Sequence, residues 1–520
     1  MIIDTQAQMH PSGPAFPGSD VFSQALIFSG ERETRVRIDT EAVGFMASNV
    51  DRRPEERDRR SNEWHGMVPQ APGGVATAGL YTFPLGSSRE ASRETSLDAS
   101  GEESHQLQRR FSKISSTVEL RSTSSGCDVN KLQLFCTELP YLRQLDLKGL
   151  ELRLARVEAL AIAVKSLPQL EVLIIHNTML RPEAMEVLAG ALKGHAKLRE
   201  LQAAGNMIGP KGAVAVAAAL TPGPKSNLCT SLTALNLSGN QIGWQGRTES
   251  DCVEGFLAIA GILKYTPLLT KLDLSCNFMG ARSGTVLALE GLALSPSLHT
   301  LVLADNGIGA EGAQSLAKAL TPSSTNAFNT SLTTLDLAGN AIGPDGARAL
   351  VQAVVYGEMG FRSCSLRALN LAGNFLGVEG AKVWAEAMLP NSMGTFPLSL
   401  TSLDLSGNSL EAEGAKALSS ALMTTNSNGA VNVHFHTLNA WGNSVTMEGA
   451  TALAMAAKRR QPPMRLCGSM LDVWELNLSH RFLAPCDVAL LANDLRVTTA
   501  LKTLDLSGEC RAERGQHAVW

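Results

Sequence analysis

LTALNLSGNQI, the stretch from Leu232 to Ile242, decides how this chain folds, because variants of it recur twelve times between Leu142 and Leu506. The first apolar residues of successive copies are Leu142, Leu170, Leu198, Leu232, Leu269, Leu298, Leu332, Leu366, Leu400, Phe435, Val473 and Leu501, at intervals of 28 to 38 residues. A period of that size on the pattern L-x-x-L-x-L-x-x-N predicts a stack of short strands, each followed by a returning helix.

One unit shows why. Leu235 and Leu237 are two apart, so a strand turns both to one side and leaves Ala234, Asn236 and Ser238 on the other. Where the strand ends, Asn240 fits an apolar stack only if its amide bonds backbone groups left over by the turn. Asn206, Asn277, Asn306, Asn340, Asn374, Asn408 and Asn443 recur at that position, which predicts a structural asparagine ladder. The phrase continues as I-G-x-x-G-A into alanine-rich helices, as in IGAEGAQSLAKAL (Ile308 to Leu320). Gly312 and Gly346 are expected to mark the helix start by adopting backbone angles closed to other residues, while alanines let the helix lie close to its strand. Strands spaced about 4.8 Å apart against helices about 10 Å wide force curvature. The expected fold is therefore α/β: a horseshoe solenoid of about twelve repeats, with a parallel concave sheet inside and helices outside.

These residues resemble the ribonuclease-inhibitor-like leucine-rich repeats, the class found in NOD-like receptor sensor regions and in RanGAP. The likeness covers about Ser115 to Trp520. It implies the horseshoe, and it leaves function open among inhibitors, sensors, GTPase activators and cytoskeletal caps. Two features depart from the class. Most middle intervals are 34 residues rather than 28 or 29, and Leu150, Thr178, Arg481 and Glu509 stand where asparagine is expected.

Composition agrees with a small-residue core. The chain is 520 residues long, 44% hydrophobic and only 5% aromatic, with a formal net charge of −4. Neither the leading segment nor the repeats carries the field that nucleic acid or an anionic membrane would require, so the expected partner is protein. The nine cysteines contain no C-x-x-C pair, and the start, MIIDTQAQMHPSGP, has no apolar signal segment. That predicts reduced thiols in a cytoplasmic, intracellular chain. Residues 1–112 have a different character: PSGPAFPGSD, DRRPEERDRR (Asp51 to Arg60) and GSSREASRETSLDASGEES (Gly86 to Ser104) show no apolar period. This composition predicts disorder. Arg109, Arg110 and Ser112 form R-R-F-S, making Ser112 a candidate phosphosite. Residues 113–141 read as an N-terminal cap, with an edge strand at Val118 and Leu120 and a helix over Asn130 to Leu139. Residues 142–520 are the repeat domain.

Function in such a stack is expected on the concave strands. The outward mid-strand residues include Asp146, Asn236, Asp273, Asp336, Asn370, Asp404, Asn439, Asn477 and Asp505, a row suited to the backbone or basic side chains of an extended partner. Trp441 is the strongest candidate anchor, with His176 and His480 behind it. The competing explanation is that Asp and Asn merely solvate the face and satisfy strand ends. Inserted loops such as Thr221 to Leu232 and Thr321 to Leu332 carry Leu228, Phe328, Phe361, Phe396 and Val431, a regular series that predicts a small satellite core.

Catalysis finds little support. No G-x-x-x-x-G-K-[ST] is present. His434 and His436 lack a suitably spaced third metal ligand, and no cofactor is implied. The catalytic alternative is a RanGAP-like GTPase regulator, for which Arg181 and Arg282 sit after strands. Against it, the chain lacks the long acidic tail expected of that family. The reading is a non-catalytic interaction scaffold or sensor.

Overall fold

The computed structural model describes residues 36–39, 117–121 and, between 141 and 507, all but 222–230, 245–251, 322–326, 356–364, 461–462, 469–471 and 480–482. Ser112, Leu228, Phe361, His480, Arg481, Glu509 and the helix expected over Asn130 to Leu139 lie outside these residues.

Twelve parallel strands make one sheet in strict chain order. The first two are β1 (Val36–Asp39) and β2 (Thr117–Arg121). Ten repeat strands follow: β3 (Gln144–Asp146), β4 (Val172–Ile174), β5 (Glu200–Gln202), β6 (Ala234–Asn236), β7 (Lys271–Asp273), β8 (Thr300–Val302), β9 (Thr334–Asp336), β10 (Ala368–Asn370), β11 (Ser402–Asp404) and β12 (Thr437–Asn439). The strand β1 lies inside the segment read as having no element of its own. Its partner β2 covers the Val118 and Leu120 positions.

Each repeat strand places its central leucine in the core. Leu145, Leu173, Leu201, Leu301, Leu335, Leu369, Leu403 and Leu438 are fully buried. Neighbouring strands pair without slippage, so Leu335 faces Leu369 and Asp336 faces Asn370. A one-residue slip would turn every leucine outward. Alternating with these strands are α1 (Leu154–Lys165), α2 (Pro182–Leu192), α3 (Gly209–Leu220), α4 (Val253–Tyr265), α5 (Gly280–Val286), α6 (Gly309–Leu320), α7 (Gly343–Val354), α8 (Gly377–Ala387), α9 (Glu411–Met423) and α10 (Met447–Arg459). This is the α/β horseshoe solenoid, with the sheet on the concave side and the helices outside.

The helices are started by the neighbouring repeat. Gly309 N–H donates to Asn340 O at 2.9 Å, and Gly343 N–H to Asn374 O at 3.0 Å. The glycine expectation needs correcting here. The residues with left-handed angles are Gly309 (φ 65°) and Gly343 (φ 63°). Gly312 and Gly346 serve close approach instead: a Cβ there would lie 2.4 Å from Ile308 Cγ2 and 2.3 Å from Ile342 Cγ2. The glycine lets the isoleucine that precedes the helix tuck beneath its first turn.

The stack changes its hydrogen bonding at its far end. After β12, the short segment around Arg465 takes the next strand position, because Leu438 N–H donates to Arg465 O and Ala440 N–H to Leu466 O, both at 2.9 Å. Met464 and Leu466 are fully buried there. The strands expected to continue the sheet, β13 (Glu475–Asn477) and β14 (Thr503–Asp505), form a separate two-stranded sheet. Between them α11 (Pro485–Asp494) supplies two carboxylates in place of a further strand. Asp494 accepts from Leu466 N–H at 2.8 Å and Cys467 N–H at 2.7 Å, and Asp487 accepts from Gly442 N–H at 3.0 Å. Among the described residues, no helix is long and apolar enough to cross a membrane.

Candidate functional site

Two polar columns run along the sheet, and they have different jobs. The first is the asparagine ladder at the strand exits. Asn277 shows its chemistry: Oδ1 accepts from Asn240 N–H at 2.9 Å and Ile242 N–H at 3.3 Å, while Nδ2 donates to Leu237 O and Leu274 O at 2.9 Å and to Ser275 O at 3.1 Å. Asn306, Asn340, Asn374, Asn408 and Asn443 each accept from the backbone N–H of the preceding asparagine in the same way. Asn206 accepts from Thr178 N–H at 3.0 Å and lies 3.1 Å from the Thr178 hydroxyl, so threonine fills the ladder position in that repeat. One rung differs: Asn240 Oδ1 is buried and has no hydrogen-bond partner among the described residues.

The second column is the outward mid-strand row. Asp146, Asn236, Asp273, Asp336, Asn370, Asp404, Asn439, Asn477 and Asp505 each accept, through one side-chain oxygen, from the N–H two residues further on. Serine at that second position adds its hydroxyl, as Ser275 does to Asp273 at 2.7 Å. The row therefore closes the strand ends, which is the alternative weighed above.

Exposure divides the row. Asp146, Asn236 and Asp273 are half-buried, whereas Asp336 (1% exposed), Asn370 (0%), Asp404 (8%) and Asn439 (9%) are buried. Small residues line the same stretch, and Val302, Ala304, Ala338 and Ala372 form a buried apolar cluster of their own. The candidate anchor Trp441 leaves little surface to a partner. It is 9% exposed and packs into the main core, because its backbone sits where β12 hands over to the Arg465 segment. His176 is half-buried, and its Nδ1 accepts from Ala204 N–H at 2.9 Å.

Burial sets the electrostatics of this face. It pushes the Asp336 carboxyl up to about 7, opposed by the Ala338 N–H and the Asn370 amide and reinforced by Asp404 and Asp273. Asp404 and Asp273 are raised for the same first reason, with Ser406 and Ser275 partly restoring the charged form. Asn439 Nδ2 donates to Asp404 Oδ2 at 2.8 Å. Cys276 is exposed, and burial of its sulfur together with Asp305 pushes the thiol up to about 11. At neutral pH that sulfur is a thiol rather than a thiolate.

Among the described residues, the two arginines of the catalytic alternative are not brought together. Arg181 precedes α2 and Arg282 lies in the first turn of α5, three strand steps apart, which is about 14 Å at the usual strand spacing. His434 and His436 are exposed, and among the described residues no group of three or more His, Cys, Asp or Glu is placed to hold a metal ion.

Several features escaped sequence reasoning. Arg460, 4% exposed, donates to the carbonyls of Asn432 and Phe435 beneath the loop that precedes β12. The two α11 carboxylates had no periodic signal. Phe328, Phe396 and Val431 are half-buried under their loops. Asn329 is buried, donating to Leu292 O and Ser295 O at 3.0 Å.

A leucine-rich-repeat family profile matches residues 228–247, 294–317, 328–351, 362–383 and 397–419. No curated protein sequence gives a significant match. Solved structures similar to this chain include actin-binding site 2 of leiomodin-1, at 18% identity, 29% of this chain, 80% of that chain and a TM-score of 0.24. Another is TLR13 in complex with ssRNA13, at 15% identity, 75% of this chain, 54% of that chain and a TM-score of 0.32. A third is LegL7 from Legionella pneumophila, at 17% identity, 58% of this chain, 75% of that chain and a TM-score of 0.31.

Proposed function

We propose that this chain, five segments of which match a leucine-rich-repeat profile, is a non-catalytic interaction scaffold or sensor that seats a partner protein on the early half of its concave sheet. The observation that carries this is the gradient of exposure along the outward row. Asp146, Asn236 and Asp273 keep accessible surface, whereas the same column from Asp336 to Asn439 is closed. Beside the open part, Glu171 sits between Arg143 and Arg199, 3.7 Å from each. The result is a charged rim around half-buried acceptors. Such surfaces set specificity and encounter rate more than raw affinity.

Proximity labelling in cells tests the proposal. Asp146→Arg with Asn236→Arg should remove the dominant partners while the repeats stay folded, and Glu186→Arg on the exposed side of α2 should not remove them. An unchanged partner set in the concave variant would reject this face.

A further inference from the structure

The edge where strands turn into helices carries large apolar side chains that the fold does not use. Met179 is 60% exposed, Met207 40%, Trp244 52% and Phe278 57%, and they belong to four consecutive repeats. Met179 (φ 57°) and Phe278 (φ 55°) hold left-handed backbone angles, which disfavour any residue with a Cβ. Glycine occupies the equivalent position one repeat later, at Gly307 (φ 64°). All four side chains are solvated, and Met179 and Phe278 are in addition held in a backbone conformation that disfavours them.

They are also arranged. The Trp244 and Phe278 rings lie 5.5 Å apart at 51°. Their loops can approach because position 243 is glycine: a Cβ there would sit 2.0 Å from Phe278 O. At the other end, Met179 and Met207 line an open cavity of about 430 Å³ with Leu152, Leu154 and Ala184 in its wall. The rim is basic. Arg181, Lys211 and Arg282 are exposed and form no ion pair among the described residues, whereas Arg153 is tied to Glu151 at 2.8 Å. Four repeats span about 15 to 20 Å at strand spacing, the length of about three helical turns.

We propose that the edge formed by Met179, Met207, Trp244 and Phe278 docks an amphipathic α-helix of a partner protein, apolar along one face and acidic beside it. Flexible methionines and a tilted aromatic pair accept apolar anchors at i, i+3, i+4 and i+7, and the unpaired cations select the acidic flank. This surface is separate from the concave face, and neither proposal depends on the other.

The test is fluorescence anisotropy of a labelled synthetic helix of about 15 residues, with leucines at those positions and glutamates between them, titrated with the full chain. The glutamate peptide should bind at least about tenfold more tightly than the same peptide with lysines. Phe278→Gly and Met207→Ser should each weaken it at least about tenfold, and Asp146→Arg should leave it unchanged. Phe278→Gly should hold or raise the melting temperature, since glycine suits that backbone. Equal binding of the two peptides, or binding that survives Phe278→Gly, would overturn the proposal. So would a clear fall in melting temperature for Phe278→Gly, which would make the ring part of the fold. Self-association of the peptide-free chain that disappears in Phe278→Gly would reassign the edge to a second copy.

Discussion

Asp336→Asn should make the central repeats more stable at pH 8 than the native carboxylate does, and should make no difference near pH 4. Asp336 is 1% exposed and its folded-state pKa is about 7 against an ordinary 3.8. A gap of about 3 units at about 1.4 kcal/mol each amounts to about 4 kcal/mol as an upper figure. The folded state holds this proton more tightly than the unfolded chain. Below pH 4 both states are protonated and nothing is lost. Stability then falls as pH rises from 4 to 7, and above 7 both states are ionised and the full deficit remains. Asparagine keeps the one interaction the fold needs, an oxygen accepting from Ala338 N–H at 3.0 Å, and does not titrate. A long repeat array unfolds with limited cooperativity, so amide exchange across β9 and β10 is a sharper readout than a global melt. The difference between variant and native protection should grow from near zero at pH 4.5 to several kcal/mol at pH 8. A difference that stays flat over that range would show that Asp336 ionises normally, and the burial argument would be wrong.

Asn340→Ala strips the partner from Asn306 N–H and Ile308 N–H, both buried, and should cost about 2 to 6 kcal/mol at about 1 to 3 per orphaned group. Asn240→Ala should cost clearly less in the same denaturation assay, because Asn240 Oδ1 accepts from no N–H among the described residues. Cys276→Gly should stabilise by about 1 kcal/mol, since Cys276 holds φ 56° where other repeats have glycine; a lower melting temperature would mean its contact with Asp305 matters more than its backbone. Asp494→Ala should release residues 463–507 to rapid amide exchange while the ten repeat strands stay protected, because Leu466 and Cys467 N–H lose their acceptor. Loss of protection throughout the sheet would show instead that the terminal unit folds with the rest.

The solenoid was readable because its information is periodic. One phrase sets leucine in, asparagine at the exit and glycine before the helix, and twelve copies average out local noise. What escaped was aperiodic. The handover from β12 to Arg465 rests on MRLCG, which lacks the leucine spacing, and on Asp487 and Asp494, whose role appears only once α11 is folded against that edge. The binding row was legible as a pattern but not as an environment. Alternation predicts which way Asp336 or Trp441 leaves the strand, yet it cannot report how much solvent remains after the neighbouring strands have closed in.

That distinction bears on how such a face can recognise anything. If each mid-strand Asp or Asn uses one oxygen to close its own strand end, then replacing the residue changes the fold and the face together, and a loss of binding cannot be assigned to either. Asp146 and Asn236 separate the two effects best, because they are half-buried and lie away from the apolar cluster of Val302, Ala304, Ala338 and Ala372. Arginine forfeits one strand-end hydrogen bond at Asp146 and two at Asn236, each worth about 1 kcal/mol in a partly solvated setting, but adds a long cation to the open surface. A partner held by several weak polar contacts should be lost to that cation at a stability cost too small to unfold the repeat. At Asp404, where both side-chain oxygens are already engaged by Ser406 and Asn439, the same substitution should instead disrupt the strand end itself, so the concave face should be mapped from its early repeats inward.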